Sequence, residues 1–135
     1  MTTTPEDLRT FIRGTTSITS LVDTRVHYNQ LPQESSKPHV WFRITSDTEE
    51  LTMDGVGGIH EAFADIECVG LTEATAQAVA AVVKPRLHGY KGTFGNKSAK
   101  AMFLSDKDDD YEPFSNQSAE GVHVVSYGLR FWYST

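Results

Sequence analysis

The sequence predicts an α+β fold: a mainly antiparallel sheet of about four to five strands with helices packed on one face. Three observations predict it. Residues 59–71 alternate in polarity with a period of two. Residues 72–87 carry apolar side chains at helical spacing. The segments along the chain run helix, strands, helix, strands. No internal repeat, low-complexity segment or linker divides the chain, so residues 1–135 read as a single domain.

The central unit is a strand that runs directly into a helix. In residues 59–71 the even positions from Ala62 to Cys68 are small or apolar, while Glu61, Asp65 and Glu67 fall on the other face. Thr72 offers an N-cap hydroxyl, and Glu73 sits in the first turn, where the helix dipole favours negative charge. In the Ala- and Val-rich stretch that follows, Val79, Val82, Val83 and Leu87 make one apolar stripe to lie on the sheet. Pro85 lacks a backbone donor and disfavours helical geometry at Lys84, so a kink is expected there.

Before this unit, Thr4-Pro5-Glu6-Asp7 is a helix start, with Leu8, Phe11 and Ile12 on one face and Gly14 as the stop. Residues 17–22 form a second short helical turn and residues 26–29 a short strand. Residues 30–38, with two prolines and paired serines, form a loop. In the strand at 39–45, Val40, Phe42 and Ile44 face one way and Trp41, Arg43 and Thr45 the other. Residues 47–58 are polar and glycine-rich and read as a long, mobile hairpin connection. After the helix, residues 89–92 form a turn, 99–105 a strand and 106–113 an acidic loop or strand end. Residues 115–121 form a polar turn. In the last strand, 122–133, Val125, Tyr127, Leu129, Phe131 and Tyr133 face the core, while Arg130 and Trp132 face away.

Composition narrows the function classes. A chain of 135 residues buries roughly two-thirds of its unfolded surface and needs neither a metal nor a disulfide staple. The single cysteine, Cys68, lies on an apolar face and reads as a buried, inert thiol. No signal peptide is read at the start, and no apolar run approaches a membrane span. The formal net charge of −6 argues against tight wrapping of nucleic acid and is compatible with DNA passing close by.

No catalytic constellation emerges from spacing. The five histidines show no zinc pattern, and His60-Glu61 lacks the second histidine and the helix that a metalloprotease motif requires. Asp106, Asp108, Asp109, Asp110 and Glu112 form the sharpest charge cluster. Counted from Asp106, however, the glycine and acid positions of a calcium loop hold Tyr111 and Gln117. A solvated acidic loop, or an acidic patch against a partner or a moving polyanion, fits better than a small metal-dependent enzyme using this run. Gly55, Gly57 and Gly58 have no following lysine and no following helix, so they are not a phosphate cradle. Trp41 and Trp132 fall on the polar faces of their strands beside Arg43 and Arg130. This marks either a protein interface or a face covered by the N-terminal helix.

An ordered set of segments carries a family resemblance. They are Leu31-Pro32-Gln33, Pro38 before a strand, Asp54-Gly55, Gly58-Ile59-His60-Glu61-Ala62 and Asp65-Ile66-Glu67-Cys68. After the Ala-rich helix come Leu87-His88-Gly89-Tyr90-Lys91-Gly92-Thr93, Phe103-Leu104, Asp109-Asp110-Tyr111-Glu112-Pro113 and Tyr127-Gly128-Leu129-Arg130-Phe131-Trp132-Tyr133. In this order they resemble the tail-completion or tail-terminator family of long-tailed bacteriophages, prophages and gene-transfer particles. Pro85 and the acidic 106–110 run depart from its usual pattern.

The resemblance implies a structural virion protein without catalytic residues or cofactors. It implies a homo-oligomeric ring, a hexamer in that family, at the head-proximal end of the tail tube. That ring ends tail growth and joins the tail to the connector. Its partners would be the tail tube protein and the head-closure or connector proteins, with DNA passing through unbound and no membrane involved. Its place would be the neck of the virion tail, after assembly in the host cytoplasm. A neighbouring neck component, a head-closure or connector ring, is the alternative. On this reading Leu51, Met53, Asp54, Val56, Trp41, Arg43, Arg130 and Trp132 are candidate interface residues. Glu49, Glu50, Asp106, Asp108, Asp109 and Asp110 are candidate acids of the lumen or its rim.

Overall fold

Helix α1 (Thr4–Arg13) is followed by α2 (Thr16–Val22), β1 (Val26–Tyr28), β2 (His39–Thr52) and β3 (Gly55–Gly70). Then come α3 (Glu73–Leu87), β4 (Gly92–Phe94), β5 (Lys97–Glu112) and β6 (Val122–Ser134). The structure, a computed structural model, describes residues 4–23, 25–28, 38–52, 55–95, 97–112 and 122–134, and only the backbone at 50–52, 55–58, 106, 110–112 and 122. The fold is α+β.

The strands form one sheet in the order β1-β2-β3-β6-β5-β4. That is six strands against an expectation of about four to five. The sheet is mixed, because β1 runs parallel to β2 while every other pair is antiparallel. The stretch between β1 and β2 is far longer than the two-residue loop that would force an antiparallel hairpin. The added strand β4 begins at Gly92, where the expected turn at 89–92 ends. Gly95, at φ 60°, makes the turn that folds Gly92–Phe94 back onto β5, and a side chain there would collide with Asp7.

Both long hairpins exceed expectation. Residues 47–58 are strand except at 53–54, which lie outside the described residues, with Leu51 opposite Val56 and Thr52 opposite Gly55. β-branched Thr48, Thr52 and Val56 favour this extended pairing over a loop. The acidic run is likewise strand through Glu112, paired with the start of β6.

All the described helices pack on one face of the sheet. Leu8, Phe11 and Ile12 of α1 and Ala76, Val79, Ala80, Val83 and Leu87 of α3 are buried. They share one core with Ile66, Cys68, Met102, Tyr127, Leu129, Phe131 and Tyr133. Each large side chain so buried contributes roughly 1.5–3 kcal/mol. Thr72 caps α3 by accepting from the Thr75 amide at 3.1 Å. Gly70 lets the strand enter the helix, since a Cβ there would stand 2.8 Å from the Ala76 nitrogen. Pro85 lies exposed in the last turn, and the helix continues through it to Leu87.

Polar contacts fasten α1 as well. Lys97 of β5 donates to Asp7 in a buried ion pair. Arg86 of α3 donates from Nε to the Phe11 carbonyl at 3.0 Å, with its guanidinium 3.8 Å from the Phe11 ring centroid.

Candidate assembly interface

The face of the sheet away from the helices carries the odd-numbered side chains of β3 and the even-numbered ones of β6. Because α1 packs on the opposite face, the alternative in which it covers Trp132 and Arg130 is excluded. Cross-strand register places Phe63, Arg130 and Phe103 in one row, with Glu61, Trp132 and Ala101 in the next. The Arg130 guanidinium lies 4.5 Å from the Trp132 ring centroid and 5.4 Å from that of Phe63, and Arg130 donates to Glu61 at 2.9 Å. Phe103 meets Trp132 edge-on at 6.0 Å. Phe63 and Phe103 are 39% and 46% exposed, so this is a continuous aromatic and guanidinium surface open to solvent. Such a composition is enriched at interface cores.

The structure separates what the sequence grouped. Trp41 is half-buried and sits opposite Glu67, and Arg43 is exposed opposite Asp65. Glu67 and Glu61 are six residues apart along β3, roughly 20 Å. The two tryptophans therefore mark different ends of the face. Phe63 and Phe103 were not singled out from sequence. The available signal was a large aromatic on the polar parity of its strand.

The acidic candidates also divide. A register shift between Ile44 and Ser46 reverses the parity of β2, so Asp47 and Glu49 turn to the helix side. There His60 Nδ1 lies 3.2 Å from Asp47 and Nε2 3.8 Å from Glu49. The His60 ring stacks on Tyr133 at 4.8 Å. Thr4 donates to the Tyr133 hydroxyl at 3.1 Å, and that hydroxyl donates to Asp47. Burial, then the bond to Asp47, pushes the Tyr133 phenol up to about 12.

Asp108 and Asp109 are exposed at the other end of the sheet. Gln77 of α3 donates to Asp109 at 2.9 Å and accepts from Lys107 at 2.8 Å. The backbones of Glu50, Asp106 and Asp110 lie in strands, as do those of Leu51 and Val56. Their side chains, together with all of Met53 and Asp54, lie outside the described residues. Burial, with some help from Glu67, pushes the Cys68 thiol up to about 12. No group of three or more His, Cys, Asp or Glu arranged to hold a metal occurs among the described residues. No described helix is long and apolar enough to cross a membrane.

Comparison with known proteins bears on the family and the fold. The family model described as tail completion protein gp17 matches residues 6–132. A chain from the virion of a native gene transfer agent particle has the same fold, with a TM-score of 0.63 at 16% sequence identity. The match covers 98% of this chain and 95% of that one. No curated protein matches in sequence.

Proposed function

Since the chain belongs to the tail completion family of phage virion proteins and is a structural component of the virion tail, we propose that it forms a ring at the head-proximal end of the tail tube. The ring ends tail growth and joins the tail to the head connector. The observation that carries the reading is the open sheet face. Phe63, Phe103, Arg130 and Trp132 form a solvent-facing aromatic surface that the chain's own helices do not cover. A surface of this kind is stabilised by association.

The protein's work on this reading is assembly, not catalysis. The open face and the β2–β3 hairpin make contacts with neighbouring virion components, and the copies repeat as a hexamer. Its partners are the tube protein below and a head-closure or connector ring above. DNA passes through the lumen without specific binding. The acids of the hairpin, Glu49 and Glu50, suit a lumen rim, because like charge keeps a polyanion from adsorbing.

Native mass spectrometry of the purified chain tests the ring, and electron microscopy of particles lacking the protein tests the role. The reading expects a hexameric species closed by head-to-tail contacts, and tails of uncontrolled length without heads. Tails of normal length that merely fail to join heads would instead assign the protein to a neighbouring neck ring.

A further inference from the structure

Strand β3 pairs with β2 from His39 to Thr52, but the other side of β2 is covered over a short stretch only. There β1 pairs with Val40, Trp41 and Phe42. Among the described strands, none lies beside β2 on that side beyond Phe42. Residues 45–49 are all exposed. A strand with one face in the core alternates buried and exposed, so this unbroken run fits a strand whose edge is open.

The direction of the amides follows from one bond. Val40 donates to the Arg25 carbonyl at 2.9 Å, on the β1 side. Amides alternate along a strand, so those of Phe42 and Ile44 point the same way. The register shift between Ile44 and Ser46 moves the alternation by one residue, and Asp47 and Glu49 carry the next outward amides.

Where β1 stops, a groove of about 300 Å³ opens beside this edge. Tyr28 at the end of β1, Thr4 at the start of α1 and Ile44, Thr45, Ser46 and Asp47 of β2 line it. The Asp47 carboxylate accepts from Tyr133 and lies 3.2 Å from His60 Nδ1. A carboxylate has about four lone-pair sites, so it retains capacity for a further donor. Glu49 follows on the same face, while Arg43 lies on the other face, opposite Asp65. The groove side of the edge is therefore acidic.

We infer that an extended, basic segment of a neighbouring virion protein adds beside β2, in line with β1, and seats a lysine or arginine in the groove against Asp47. The sheet already accepts a strand in this line, at β1 itself. The outward amides supply main-chain bonds, and the groove selects the side chain. Charge disfavours a second copy as the occupant. The other long edge of the sheet, β5, exposes Asp108 and Asp109, and like charges opposed across a strand pair are destabilising. The contact rests on the assembly reading above and names the chemistry of one partner, whatever the number of copies.

Hydrogen exchange read by mass spectrometry tests it in three samples: the dilute chain, the chain self-assembled alone, and intact particles. Peptides covering residues 42–49 should exchange at least about tenfold more slowly in particles than in either other sample. Carbodiimide coupling joins a carboxylate to a lysine amine in contact, and any link formed by Asp47 should lead to another virion protein. Protection in the self-assembled chain, or a link from Asp47 to a lysine of a second copy, would overturn the inference in favour of pairing between copies. Particles in which residues 42–49 exchange as fast as in the dilute chain would overturn it outright.

Variants separate the strand from its charge. Glu49→Pro removes an outward amide and spares the β2–β3 ladder, since proline is tolerated where the amide faces away from the sheet. Glu49→Gln keeps that amide. Ser46→Lys sets a like charge in the groove. With circular dichroism showing each variant folded, Glu49→Pro and Ser46→Lys should each lower the yield of completed particles at least about tenfold, and Glu49→Gln far less. Should Glu49→Pro unfold the chain, Ser46→Lys and the exchange measurement decide. Wild-type yields from the folded proline and lysine variants would overturn this contact and leave the assembly reading intact. Normal particles made without the chain would overturn the assembly reading and this contact with it.

Discussion

The two faces of the same sheet follow different rules. On the helix side, Met102, Leu129, Phe131 and Tyr133 are almost fully sealed, and the buried charges described there, Lys97 and Asp7, are paired with each other. On the open side, Phe63 and Phe103 stay well exposed among charges at ordinary ion-pair distance. The difference teaches where each kind of residue acts. The helix side holds the chain in its fold. On the open side Val69 and Val124 are buried together, but the stretch around Phe63 and Phe103 is exposed and available for another molecule. A substitution on the first should register in stability, and one on the second in assembly.

The largest effect should come from breaking the buried polar contact of the sealed side. Lys97→Met leaves the Asp7 carboxylate buried without its cation and should cost about 3–5 kcal/mol in urea unfolding. Phe131→Ala removes a fully buried ring and should cost a similar ~3–5 kcal/mol. A loss below ~1 kcal/mol for both would mean that this side is not the stabilising one. Gly95→Ala should add to the damage at the same place, because its Cβ would stand 2.0 Å from Asp7 Oδ1.

The sealed side was legible in the sequence because it depends on period alone. Alternation placed Val125, Tyr127, Leu129, Phe131 and Tyr133 correctly, and the helical stripe placed Val79, Val83 and Leu87. What remained hidden depends on register and on three-dimensional proximity. A single extra residue between Ile44 and Ser46 reverses the face of Asp47 and Glu49, and nothing in local polarity announces it. The Asp7–Lys97 pair joins residues 90 apart. Asp7 read simply as a first-turn acid that suits the helix dipole. The open-face cluster needed the register of three strands to bring Phe63, Arg130 and Phe103 into one row.

The comparison sharpens further with Phe63→Ser and Phe103→Ser together. Both rings are partly exposed, so the double variant should lose only about 1 kcal/mol of stability while its assembly into virions fails. A melting temperature lowered as far as that of Phe131→Ala would show that the open side is core after all.

Titration separates the same regions. Tyr133 is a sealed-side phenol raised from 10.0 to about 12. The unfolded chain releases this proton first, so stability should fall as pH rises from about 10 toward 12, and Tyr133→Phe should remove part of that fall. His27 of β1 is shifted the other way, below 6.5, by burial first and then by the positive charge of Arg9, Arg13 and Arg25. Between its lowered value and about 6.5 the unfolded chain binds the proton more readily. Stability of the separated chain should therefore decrease as pH drops through that window and stay unaffected above it, and His27→Gln should flatten the response. Chemical denaturation across both pH ranges measures each slope.

The smallest effect on stability is expected at the far end of the β2–β3 hairpin. There β3 extends past the last described pairing with β6, which joins Ile59 to Ser134, so among the described strands residues 55–58 have β2 alone as a neighbour. Such a ribbon has one partner strand where the rest of β3 has two, and a two-stranded ribbon is marginal by itself. Its apolar residues, Leu51, Met53 and Val56, stand in an otherwise polar, glycine-rich sequence. Replacing all three with serine removes apolar surface from a segment that does not hold the domain together. The melting temperature of the dilute chain should stay within about 2 °C of the wild type, the shift that a loss of ~0.5 kcal/mol gives in a domain of this size. Ring formation and tail completion should fail if these side chains anchor on a neighbouring component. A variant that melts as early as Phe131→Ala would place the hairpin with the sealed face. One that assembles and completes tails normally would remove it from the interface.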